Sequence, residues 1–80
     1  MSKKQFSSVK LPAWRNSSVA LALSDAARDA EAKEHYATAT EYYGLAALYW
    51  RDAGEAWVAD ACEANSETCQ RKLVENTRVY

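Results

Sequence analysis

The sequence predicts an all-α protein, a small helical hairpin or three-helix bundle with a basic N-terminal arm. Three observations predict it. Two glycines and one proline in 80 residues leave little turn chemistry for a β-protein. Alanine, the best helix former, dominates the middle of the chain. Apolar residues make up 49%, a globular composition rather than a disordered one. A chain of this length allows one domain, placed at residues 17–80. Its core is necessarily modest, and such domains often lean on a partner or on self-association.

Residues 1–16 read as the arm. They hold Lys3, Lys4, Lys10 and Arg15 and no acid, a charge of +4, whereas residues 17–80 carry −5. Pro12 restricts Leu11 to extended backbone. Of the arm's apolar side chains, Leu11 and Trp14 are expected to pack on the body or else to reach a partner. Lys3, Lys4, Lys10 and Arg15 are candidate nucleic-acid contacts that would add weak, non-specific affinity. The acidic body argues against a folded nucleic-acid platform, because phosphate contact needs Lys and Arg.

Asn16, Ser17 and Ser18 are good helix N-caps, and a helix is expected over about 19–36. Ser24–Asp25 could start a separate helix. Asp29 and Lys33 form an i,i+4 pair in the favourable orientation. Thr38 and Thr40 are the weakest helix formers in the next stretch, so a turn is expected there. A long helix follows over about 41–61, which Gly54 kinks or ends early. Asn65–Ser66 reads as a break and a new cap, and a last helix covers about 67–76.

The strongest pattern is a heptad. Tyr36, Tyr43, Trp50 and Trp57 are seven apart, and Ala39, Ala46 and Ala53 each follow three residues after one of the first three. Large aromatics fill one seam position and alanines the other, so one stripe is built to pack against another helix. A second apolar stripe, Tyr42, Leu45, Leu48, Tyr49 and Ala56, lies on a different side. Two readings of the heptad stripe stand at this point: it is the core of the bundle, or it is an interface shared with a second copy or with another protein. Exposed aromatic patches mark interaction sites, and Tyr and Trp are enriched at binding hot spots.

Catalytic chemistry has no support in the pattern, and no enzyme is expected. Two glycines cannot build a phosphate cradle. His35 stands beside Glu34 and Glu31 on a charged face, and its spacing from Cys62 and Cys69 fits no zinc pattern, so neither metal nor cofactor is expected. On a shared helix, Cys62 and Cys69 would lie roughly 10.5 Å apart along the axis, too far for a disulfide, and they read as small buried hydrophobes. No signal peptide and no membrane-length apolar run are visible. A cytoplasmic protein with reduced thiols is expected.

The string Tyr43–Gly44–Leu45–Ala46–Ala47–Leu48–Tyr49–Trp50–Arg51–Asp52–Ala53 resembles the central signature of the ANR family, the AraC negative regulators, in its Tyr-x-x-Ala-Ala-x-x-Trp-x-x-Ala pattern. Asn65, Cys69 and Lys72 fall at matching offsets. Thr68 stands where the family usually has Trp, Asn76 where a second Cys is common, and Glu41 where a helix-ending Gly often precedes the Tyr. The resemblance spans about residues 26–72. It implies a small regulator that binds an AraC/XylS-type transcription activator, blocks its dimerisation and so represses virulence or colonisation genes. The implied partner-binding residues are Tyr43, Ala46, Ala47, Trp50 and Ala53; the heptad pattern adds Tyr36 and Trp57. The alternatives are a phage- or plasmid-borne inhibitor of another host protein, including a homodimeric one, and a weak nucleic-acid binder using the arm.

Overall fold

A computed structural model describes residues 13–78 of the chain, with side chains over 16–77. Three helices account for nearly all of it: α1 (Ala13–Ala32), α2 (Tyr36–Asp52) and α3 (Ala56–Arg78). No strand occurs among the described residues. The protein is a small all-α three-helix bundle in which α2 packs against both α1 and α3. The short connections make successive helices antiparallel.

Both connections use the same device. Glu34 takes φ 63° and Gly54 takes φ 86°, left-handed backbone that ends a helix at once. After α1, the His35 N–H donates to the Ala30 carbonyl at 2.8 Å and the Glu34 N–H to the Glu31 carbonyl at 2.9 Å. After α2, the Glu55 N–H donates to the Trp50 carbonyl at 2.9 Å and the Gly54 N–H to the Arg51 carbonyl at 3.1 Å. These pairs are Schellman closures, and they satisfy carbonyls that a helix end would otherwise leave open. The following helix then buries its fourth residue completely, Ala39 in α2 and Ala59 in α3.

The core is built from small side chains. Ala20, Ala27, Ala39, Ala46, Ala47 and Ala59 are buried, and the largest fully buried side chain is that of Cys69. Alanine seams let helix axes approach closely, so short polar side chains reach across them. Ser24 of α1 accepts the Trp50 indole N–H of α2 at 3.1 Å and lies 3.8 Å from the Cys62 sulfur of α3. The Asn16 side chain of α1 donates to Asp52 at 2.8 Å. The Ser66 hydroxyl of α3 donates to the Thr40 carbonyl of α2 at 2.9 Å. Tyr43 of α2 donates to Glu31 of α1 at 2.8 Å, and Lys72 of α3 lies 3.9 Å from the same carboxylate. Every described buried side-chain polar atom has a partner.

These ties correct the expected boundaries. α1 begins at Ala13, so Asn16 lies inside it as an inter-helix donor and not as a cap. Ser24 starts no new helix, and Ser66 breaks none; both bond across a seam instead. The first turn falls at 33–35, because Thr38 and Thr40 are accommodated within α2, where the Thr40 hydroxyl bonds back to the Tyr36 carbonyl at 2.8 Å. Gly54 ends α2 outright, so no single helix runs over 41–61.

Candidate functional site

The heptad stripe is the inside of the bundle. Tyr43, Ala46 and Ala47 are 3% exposed or less, and Ala39 is fully buried. Tyr36 and Trp50 are half-buried and pack against that core. Ala53 is half-buried in the turn after α2. Trp57 leaves the stripe altogether: the chain reverses at Gly54, so Trp57 sits in the first turn of α3, 74% exposed. The expected contact surface of Tyr43, Ala46 and Ala47 therefore has no outer face to offer. The resemblance string instead marks the side of α2 that both neighbours cover.

The ends of that interior stripe are electrostatically tuned. Burial, and then the hydrogen bond to the Glu31 carboxylate, push the Tyr43 hydroxyl well above the ordinary tyrosine range. Burial also raises the Cys69 thiol, with the Glu31 charge adding to the effect. The Lys72 ammonium lies 5.6 Å above the centre of the Tyr36 ring, a cation–π distance. One charged cluster thus joins all three helices at the end where α1 stops and α2 starts.

The second stripe lies outside. Leu45 is 44% and Leu48 61% exposed, with Tyr42 beside them and Tyr49 half-buried. Their spacing of three and four residues puts them along one side of α2. Leu45, Leu48, Tyr49, Arg51 and Asp52 line an open groove of about 430 Å³. At one end of the groove Arg51 and Asp52 stand together. Arg51 is engaged by α3, at 2.8 Å from Glu63 and 2.9 Å from Asp60. The guanidinium holds Glu63 below the ordinary carboxylate range, chiefly through that hydrogen bond. Asp52 and Glu41 fall on the same side of α2 as Leu45 and Leu48, by their four- and seven-residue offsets.

Other expected site residues are dispersed. Lys3, Lys4 and Lys10 lie outside the described residues, and Arg15 is in the first turn of α1 with its side chain outside them. Cys62 and Cys69 share α3, which runs through the expected break at 65–66, and both are buried. His35, exposed, is the residue before α2 and makes no side-chain cap bond. Among the described residues no cluster of His, Cys, Asp or Glu could hold a metal ion, and no helix is long and apolar enough to cross a membrane. What the sequence could not reveal is the groove. Its apolar residues were visible as a second stripe, but the contribution of Asp52 depends on where Gly54 turns the chain.

No family model, curated protein or solved structure matches this chain.

Proposed function

We propose that this chain is a small protein-binding negative regulator of transcription, one that covers a helix an AraC/XylS-type activator needs for dimerisation. The contact is made by Tyr42, Leu45, Leu48 and Tyr49. One observation carries the binding role: the middle helix keeps exposed leucines on one side while its heptad stripe is already satisfied on the other. An apolar helix side with a shallow groove suits a partner's amphipathic helix, docked through anchors spaced three and four residues apart. The activator as partner rests on the Tyr43-to-Ala53 string, whose residues position α2 rather than touch the partner.

Leu45→Glu with Leu48→Glu tests the surface. Both side chains are exposed, so the helical circular-dichroism signal and melting temperature are expected to stay within the range of surface substitutions. Co-purification with an AraC/XylS-type activator is expected to drop at least tenfold, with repression lost. Full association in the folded double variant removes this face. A wild-type chain that binds no activator of that class removes the regulatory reading.

A further inference from the structure

The bundle leaves a second surface uncovered, the outer side of α3. This helix turns Ala59, Cys62 and Cys69 into the core and Ser66 toward α2. On its opposite side, at alternating steps of four and three residues, lie Trp57, Ala61, Ala64, Thr68 and Arg71. Thr68 is half-buried and the other four are exposed. Among the described residues Trp57 is the most exposed large apolar side chain. Single exposed apolar side chains are common on protein surfaces. What covers this one is set by charge and register.

Between 56 and 67, α3 holds Asp60, Glu63 and Glu67 and no base; between 68 and 78 it holds Arg71, Lys72 and Arg78 against Glu75. Two such helices laid parallel set acid beside acid. Laid antiparallel, the acidic half of each meets the basic half of the other. Ala64 is seven residues from both Trp57 and Arg71, about 10.5 Å along the helix in each direction. A two-fold axis through Ala64 therefore sets Trp57 against the second copy's Arg71, with Asp60 one turn away on the same side. Ala61 and Ala64 at the centre have no bulk to hold the two backbones apart. Arg71 is free to make the contact: its guanidinium reaches the Thr68 hydroxyl of its own helix at 3.5 Å, while Lys72 is turned toward Glu31 of α1. A guanidinium stacks on an indole face and still donates to a carboxylate at its edge.

We infer that α3 pairs with α3 of a second copy, antiparallel about Ala64, each Trp57 stacking on the other chain's Arg71 and each Asp60 facing the same guanidinium. One helix side makes a small, partly charged contact, so the dimer is weak and loosens as salt rises. This goes beyond the regulatory reading, because it uses a different side of the bundle from Leu45 and Leu48 and its test contains no activator.

The test is sedimentation velocity of the full chain over a concentration series at low salt, where a monomer–dimer equilibrium is expected. Asp60→Arg and Arg71→Asp each place like charges across the axis, and either is expected to raise the dissociation constant about tenfold. Both positions are exposed, and Asp60→Arg leaves Arg51 its second partner, Glu63, so the helical circular-dichroism signal is expected to persist. An equal mixture of the two variants restores opposite charges on both sides of the axis and is expected to regain the dimer, as a heterodimer. A parent chain that stays monomeric up to its solubility limit overturns the inference. So does a mixture that associates no better than the single variants. A dimer that both variants leave intact also overturns it, and its loss on Leu48→Glu would put the second copy on α2.

Discussion

At the scale of single residues, the Tyr43 hydroxyl ties α2 to α1 through Glu31. Its neutral form is favoured in the fold, because burial and the facing carboxylate both oppose a phenolate. The folded pKa lies above the unfolded value of about 10. The stabilisation is therefore complete below about pH 10 and is lost as the pH rises toward the folded value. Tyr43→Phe removes the bond and is expected to cost about 1 kcal/mol at neutral pH. Melting temperature followed from pH 8 to 11 should fall less steeply in this variant than in the parent. Absorbance at 295 nm should show one tyrosine ionising after the others in the parent chain. Equal alkaline slopes would show that the Glu31 bond is not what protects the hydroxyl.

At the scale of elements, the two turns share a geometry but not a residue type. Gly54 meets nothing within 4 Å at the position of a Cβ, so its requirement is backbone alone. Gly54→Ala is expected to destabilise by about 1 kcal/mol, the cost of a left-handed L-residue. Glu34 already bears that cost, and Glu34→Gly is expected to stabilise the fold by up to about 1 kcal/mol, read as a higher urea midpoint. The second turn was half legible: Gly54 marked a kink or an end, yet the residues around it are good enough helix formers that a helix to about 61 was expected. The first was not, because glutamate carries no signal for positive φ. Asn16, Ser24 and Ser66 misled for a related reason. Each is a good cap by residue type, and each is used across an alanine seam that local sequence does not reveal.

At the scale of the whole molecule, cohesion comes from close alanine-lined helices, a few polar ties and one large buried ring, that of Tyr43. Ala46 is fully buried between helices. Ala46→Leu is expected to wedge them apart and cost about 1–3 kcal/mol, read as a lower thermal midpoint. A variant as stable as the parent would mean that the seam is looser than the burial of Ala46 implies. The same economy explains the outer face. A bundle this small has one α2 and two neighbours, and they cover only one of its two apolar sides.

The residues alone determined the helical class, the existence of two apolar stripes on the middle segment and the spacing that keeps Cys62 and Cys69 apart. Periodicity sets the angle between two stripes but says nothing about which one is covered. Only the tertiary structure decided that. The alanine-lined sides of α1 and α3 accept the Tyr43 and Trp50 rings because Glu31 and Ser24 stand ready for the hydroxyl and the indole N–H. Leucines need no such partner, and Leu45 and Leu48 were left facing out.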